Sequence, residues 1–319
     1  MTGTTPELSV VAPVFREAGN IDEFCRRTSA ALGAITPAHE IILVEDGGGD
    51  ASWTRIVAAA QRDKRIKGIR FARNFGQHYA ITAGLAASRG AWTVVMDSDL
   101  QDRPEVIGAL YAKALEGNDI VFVARQDRPE PLWYRIAQRG FYALLRWLAG
   151  TDHDPAHGNF SILSARVRAH YLAVGESLRF HGGILAWLGF PRASIAAAHG
   201  RRHAGHSVYS LRRRLRLAAD IVIAHSERPL RLSIGFGFAM ALAAFAYGTV
   251  MVLRALNGQI VVPGYASLIV SLYFIGGLIL IVQGIAGIYI GKTFAEAKRR
   301  PLYVVAECVG LDLPEAPRE

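Results

Sequence analysis

Along the first 125 residues, short apolar runs alternate with amphipathic stretches. Leu8–Val14, Glu40–Glu45, Ile66–Ala72, Ala91–Asp97 and Asp119–Arg125 are compact, rich in β-branched residues and bounded by turn-forming segments, which predicts strands. Asn20–Ile35, Asp50–Arg62, Gly76–Ser88 and Pro104–Glu116 carry the wider apolar spacing of helices. Pro104, following Asp102 and Arg103, suits a first helical turn. Strands separated by helices make βαβ units, so the pattern predicts an α/β domain around a mostly parallel sheet. In such sheets ligands bind beyond the carboxyl ends of the strands. Polar clusters stand at those ends: Arg16-Glu17, Glu45-Asp46, Arg73-Asn74, Asp97-Ser98-Asp99 and Arg125.

The pattern changes after Arg231. From there to Lys292 the one formally charged residue is Arg254. Leu232–Leu253 and Tyr265–Gly291 are apolar over the roughly 20 residues that a membrane-spanning helix needs. Asn257-Gly258 and Pro263-Gly264 between them are turn signals, which predicts a transmembrane hairpin. Arg212, Arg213, Arg214, Arg216, Arg228 and Arg231 precede the first span, and Lys292, Lys298, Arg299 and Arg300 follow the second. The positive-inside bias then puts both termini, and the large N-terminal region, in the cytosol. Leu132–Leu148 and Leu211–His225 mix apolar residues with arginines and read as amphipathic helices suited to a membrane surface. Gly287 and Gly291, at GxxxG spacing, suit close helix contact within the hairpin or in a homo-oligomer.

Composition agrees with a membrane protein. Of 319 residues 51% are hydrophobic and 20% charged, and a net charge of +9 favours an anionic lipid surface. The arginine run at Arg212–Arg214 adjoins a span, so lipid headgroups rather than nucleic acid are its expected partner. Two cysteines, Cys25 and Cys308, make no disulfide framework or zinc pattern and suit a reducing compartment. No basic region precedes the first apolar run, so no secretory signal is expected.

The strand-end acids carry the candidate chemistry. Asp97 and Asp99 flank one residue where a strand gives way to a loop, and such a pair can share a hard divalent cation, Mg²⁺ or Mn²⁺. No GxxxxGK[ST] or GxGxxG phosphate loop is present, so a bound nucleotide would have its phosphates held by metal and arginines.

The runs VVAPVFREAGNI, EIILVEDGGGD, FARNFGQHYAITAGL and VVMDSDLQDRPEVI together resemble glycosyltransferase family 2. Within it the chain is similar to the polyprenyl-phosphate group, which includes dolichyl-phosphate mannose synthase and bacterial undecaprenyl-phosphate sugar transferases. The similarity continues through HGNFSILSARV, RFHGGILAWLGF, both spans and GIYIGKTFAEAKRRPLYVV. It implies a GT-A-type, Rossmann-like sheet with amphipathic interface helices and a C-terminal hairpin. Expected divisions are residues 1–205 as a cytosolic transferase domain, 206–231 as a juxtamembrane segment, 232–291 as the hairpin and 292–319 as a cytosolic tail.

By resemblance, Pro13, Phe15 and Glu17 match the first-strand motif that holds the donor nucleoside. Val44 and Asp46 match the second-strand motif that contacts the base, with Glu45 where the family commonly has Asp. Asp97, Asp99 and Gln101 match the metal and diphosphate motif. Arg125 and Arg139 match ligands of the acceptor phosphate, and Arg202 a basic residue closing over the donor diphosphate. The sequence departs from the family at Val208, usually Lys, and at Asn159, usually Asp. The resemblance implies an inverting transfer of one sugar from a nucleotide sugar, with UDP preferred, to a polyprenyl phosphate at the cytosolic face of the inner membrane. Two other readings stay open: a processive polysaccharide synthase, though Ala143 stands at the glutamine position of a QxxRW motif, and a non-catalytic membrane scaffold.

Overall fold

A computed structural model describes residues 5–125, 140, 157–197, 228–257 and 264–311. The strands are β1 (Leu8–Val14), β2 (His39–Glu45), β3 (Ile66–Phe71), β4 (Trp92–Val95), β5 (Ile120–Arg125), β6 (His157–Ser164), β7 (Arg192–Ala197) and β8 (Val305–Val309). The helices are α1 (Ile21–Gly33), α2 (Ser52–Arg62), α3 (Gln77–Ala87), α4 (Ile107–Leu115), α5 (Ala165–Ala173), α6 (His181–Trp187), α7 (Arg228–Leu256) and α8 (Tyr265–Ala297). A single 3₁₀ turn, Pro104–Val106, leads into α4.

Among the described residues the strands form one sheet in the order β7-β5-β6-β4-β1-β2-β3-β8. β4, β1, β2 and β3 are mutually parallel neighbours, β5 and β7 are parallel, and β6 and β8 run antiparallel to the strands beside them. Every position of β1 and β2 is buried, as expected for central strands covered on both faces. Phe24 of α1, Trp53 and Ile56 of α2 and Leu110 of α4 join one apolar cluster. Ala80, Ile81 and Leu85 of α3, Val167 and Tyr171 of α5 and Ile184 of α6 join the other. α3 lies so close to β1 that a Cβ on Gly84 would come within 2.2 Å of Val11, so glycine sets that spacing.

All five predicted strands and four predicted helices are present, with their ends moved by a few residues. The shift matters at β4, which closes at Val95 and leaves the whole Asp97-Ser98-Asp99 triplet in the loop. The residues expected as a tail need a correction. Residues 300–311 belong with the sheet in one compact unit, and residues 228–257 with 264–299 belong to a second. Val305–Val309 pairs with β3, whose backbone N–H and C=O groups would otherwise lie unpaired at an open edge. β6 and β7 were likewise not anticipated.

In the second unit, α7 and α8 hold windows of mean hydropathy 1.5 and 2.0, long and apolar enough to cross a bilayer. Only 6% and 0% of those windows is buried, whereas a core helix of a soluble domain would be enclosed. Phe238 and Leu280 are each 73% exposed. The expected amphipathic helices at 132–148, residue 140 apart, and at 211–225, and the turn at Gly258 and Pro263, lie outside the described residues.

Candidate active site

Because β1 to β5 and β7 all point the same way, their carboxyl ends share one edge of the sheet. The loops after β1 and β2 are joined to each other. Arg16 Nε donates to Gly48 O at 3.1 Å, Glu17 N to Ser52 Oγ at 3.1 Å, and Ala18 N to Asp50 Oδ2 at 3.3 Å. Arg16 holds a left-handed φ of 58°, which turns the chain sharply at the end of β1. Phe15 is 44% exposed beside it, and the Arg16 guanidinium lies 5.2 Å from its ring centroid. Glu17 is half-buried and accepts from Asn20 Nδ2 at 2.5 Å.

Asp46 organises the loop after β3. Its Oδ1 accepts from Phe75 N at 2.7 Å, and its Oδ2 from Gly76 N at 2.9 Å and Asn74 Nδ2 at 3.0 Å. Burial pushes its carboxyl above the ordinary value, aided by the neighbouring Glu45 carboxylate, while the Phe75 and Gly76 amides pull the other way. Gly47 makes this crossing possible. Its φ is 61°, and a Cβ there would lie 2.3 Å from the Arg73 carbonyl carbon.

The triplet after β4 is held from three sides. Ser98 Oγ donates to Pro13 O at 2.9 Å, tying it to β1. Gln77 Nε2, on the first residue of α3, donates to Asp97 Oδ1 at 2.6 Å. Asp97 N donates to the buried Asp102 Oδ2 at 3.2 Å, and Gln101 N donates to Asp99 Oδ1 at 3.0 Å. Leu100, buried and at φ 63°, forces the reversal between Asp99 and Gln101. A non-glycine residue in that conformation is costly, and such strain gathers at functional sites. Asp97 and Asp99 are half-buried, so both remain within reach of a ligand. Two carboxylates fit a hard cation whose other positions are filled by water and substrate phosphates. Among the described residues no group of three or more acidic, His or Cys residues is placed to hold a metal.

Directly after Gln77 in the chain, His78 forms with His181 a histidine pair that no motif in the sequence singles out. His78 Nδ1 accepts from His181 N at 3.3 Å, and His181 Nε2 is 3.1 Å from Ser161 Oγ on β6. Burial pulls the His78 imidazole down from 6.5 to about 4, so it is neutral near pH 7. Ser161 Oγ also donates to Asn159 O at 3.0 Å.

The fold sorts the expected residues by position. Phe15, Glu17, Asp46, Asp97, Asp99 and Gln101 come together at one edge. Pro13 is buried and contributes its carbonyl. Val44 is fully buried in the apolar cluster of Ile42, Ile69 and Phe71, so it backs the site rather than reaching a ligand. Arg125 ends β5. Arg139, Arg202 and Val208 lie outside the described residues. Gln77 was missed, although its place directly after Gly76 at the start of a helix is a local signal.

The model for glycosyl transferase family 2 matches residues 9–166. The chain is 31% identical to an uncharacterized glycosyltransferase of Synechocystis over 309 residues, 97% of this chain and 97% of that protein. It is 33% identical over 300 residues to a prophage bactoprenol glucosyl transferase homolog of Escherichia coli, covering 94% of this chain and 98% of that one. It is 31% identical over 310 residues to the undecaprenyl-phosphate 4-deoxy-4-formamido-L-arabinose transferase of Klebsiella pneumoniae, covering 95% and 94%.

Proposed function

Because this chain belongs to glycosyltransferase family 2, we propose that it moves one sugar from a nucleotide sugar, a UDP-sugar by preference, to a polyprenyl phosphate such as undecaprenyl phosphate. The observation that carries the reading is the Asp97-Ser98-Asp99 loop, tied to β1 by Ser98 and steadied by Gln77, beside the joined loops of β1 and β2. Two full-length relatives named for undecaprenyl phosphate or bactoprenol support the acceptor class.

The acceptor chemistry explains why no nucleophilic side chain is needed. A phosphate monoester loses its second proton near pH 6, so at neutral pH its attacking oxygen is already anionic (pKa ≈ 6). His78 agrees with this economy, since a neutral imidazole that titrates at about 4 is not set to act as a base near pH 7. The chain's task is to hold two anions together. Arg125, and by resemblance Arg139 and Arg202, would face the acceptor and donor phosphates. Phe15, Glu17 and the Asp46-organised loop would hold the nucleoside. Asp97 and Asp99, with Gln101 alongside, would hold Mg²⁺ or Mn²⁺, which when bound offsets charge on the departing nucleoside diphosphate. Attack opposite the leaving group inverts the anomeric carbon, and positioning supplies much of the rate.

A lipid phosphate lies at the headgroup plane, which gives α7 and α8 their purpose as two spans of an inner-membrane protein with both termini cytosolic. The membrane lipids and a homo-oligomeric contact along α8 belong to the same reading, as do the juxtamembrane segment 206–231 and the interface helices. The test is to incubate membranes carrying the protein with undecaprenyl phosphate and a panel of nucleotide sugars, and to weigh the lipid product. One sugar adduct dependent on Mg²⁺ or Mn²⁺ is expected. Long polymer would favour the synthase reading, and no adduct with any donor would leave the scaffold.

A further inference from the structure

Three charged residues on adjacent strands form one row across the sheet. Glu45 of β2 is in register with Arg70 of β3, and Arg70 with Glu307 of β8. Residues so paired face each other directly, and opposite charges there attract. Arg70 Nη1 donates to Glu307 Oε1 at 2.8 Å, and Arg70 Nε lies 3.5 Å from Glu45 Oε2. Glu307 is pinned in turn by α2, because its Oε2 accepts from Trp53 Nε1 at 2.9 Å. Glu45 is the enclosed member, 2% exposed, and its Oε2 receives no hydrogen bond. Its other oxygen accepts from Gly48 N at 2.5 Å, and Gly48 O is the acceptor for Arg16.

A buried carboxylate without a cation beside it is strongly disfavoured. Arg70 supplies that cation, but its side chain is partly exposed and β3 is irregular at Arg70–Phe71. Glu307 draws the guanidinium along the row, so the arginine does not swing into water. Removal of Arg70, or of the Glu307 that anchors it, weakens the charge pairing at Glu45, whose side chain then turns outward or shifts in place. Both responses disturb the Gly48 N–H, and through Gly48 the contact that joins the loops after β1 and β2. Glu307 itself lies only ten residues beyond Ala297, the end of α8. The strand that completes the row is thus the first one the chain makes after its second apolar helix.

We propose that Arg70 and Glu307 are positioning residues for the nucleotide end of the donor site: they neutralise Glu45, which holds the Gly47–Gly49 turn in the shape that receives the nucleoside. This rests on the donor assignment proposed for the same loops. Neither residue touches the donor, since both act through Glu45. Seating of the C-terminal strand therefore sets donor affinity, while the acceptor side of the sheet, around β5 and β6, is left unaltered.

The test uses full-length protein in nanodiscs, with wild type compared to Glu307→Gln, Arg70→Met and the double variant Arg70→Met/Glu45→Gln. Each single variant should raise the KM for the nucleotide sugar roughly 5- to 20-fold, as expected for a partly screened charge pair, with kcat and the acceptor KM held within about twofold. Glutamine at position 45 still accepts from Gly48 N but carries no charge, so the double variant should recover most of the donor KM. A row that serves the fold alone would lower the thermal midpoint and leave the donor KM unchanged, which overturns the proposal; failure of the double variant to recover does the same. If Arg70→Met does not accumulate, Glu307→Gln at the edge strand carries the measurement. Nucleotide-sugar binding by calorimetry separates the two assignments. If wild type does not bind, the donor site is wrongly placed and both fall; if wild type and Glu307→Gln bind alike, only the role of the row falls.

Discussion

Glu40 and Asp97 stand at opposite ends of the same block of parallel strands, and the chain treats them differently. Glu40, at the amino end of β2, is 2% exposed and closed in on every side. Its Oε1 accepts from Ser9 Oγ at 2.6 Å and Arg89 N at 2.7 Å, and its Oε2 pairs with Lys67 Nζ at 2.6 Å. Burial alone would raise its pKa, yet Lys67, Ser9 and the Arg89 amide together hold it below the ordinary carboxylate value. Asp97, past the carboxyl end of β4, is half-buried and is aimed by a neutral amide, Gln77. A carboxylate matched to a cation and closed off inside the fold is scaffold; one that stays half-buried at an open loop can still meet an external cation. Asp46 shows that location alone does not decide. It lies on the ligand edge, yet three donors from the loop after β3 meet its side chain, so it shapes the site from beneath.

The largest effect should come at the open end. Asp99→Ala should lower sugar transfer at least about 10³-fold, the scale for loss of a preorganised electrostatic partner at a reacting centre, with the thermal midpoint little changed. Mass readout of lipid product and a melting curve on the same preparation check both halves. Near-normal turnover would remove the acidic pair from the chemistry. Glu40→Ala should do the reverse. It leaves Lys67 and the Ser9 and Arg89 donors without their acceptor and should cost about 3 kcal/mol of stability. Activity per folded molecule should hold, as measured by kcat/KM normalised to the folded fraction. If that ratio fell along with stability, the two ends of the sheet would not be separable.

The same contrast explains what could be read in advance. β1 to β5 and α1 to α4 were legible because each carries its own periodicity and because the parallel order follows from strands alternating with helices. The acidic triplet was legible because its position after a hydrophobic strand is local. β6 and β8 were not, since their strand character comes from filling a place beside β4 or β3 rather than from a pattern of their own. On β7 the exposed and half-buried positions alternate, as befits an edge, and RASIAA carries little apolar signal. The row Glu45, Arg70 and Glu307 could not be seen in the sequence either, because its last member is separated from Arg70 by 237 positions. Contacts of that kind belong to the fold. His78 and His181 were passed over for a related reason, since nothing near either residue in sequence predicts that the starts of two helices about a hundred residues apart come together.

The smallest expected effect concerns His78, the residue after Gln77, whose ring accepts from His181 N. In the unfolded chain this imidazole binds a proton near pH 6.5, and in the folded chain only near 4, because burial opposes the charge. Between those values the unfolded state holds the extra proton, so stability rises with pH across that window and is lost as pH falls from about 6.5 toward 4. With a ring that keeps some exposure, the loss should be on the order of 2 kcal/mol. His78→Asn keeps an oxygen near the place where Nδ1 accepts from His181 N but does not titrate, so its stability curve should be flatter over the same interval. Glu40, protonated only at lower pH, adds its own loss below that window in both proteins. Denaturant titrations at half-unit pH steps compare the two slopes. Equal slopes would assign the dependence to another of the ten histidines and would mean that water reaches the His78 ring in the folded chain.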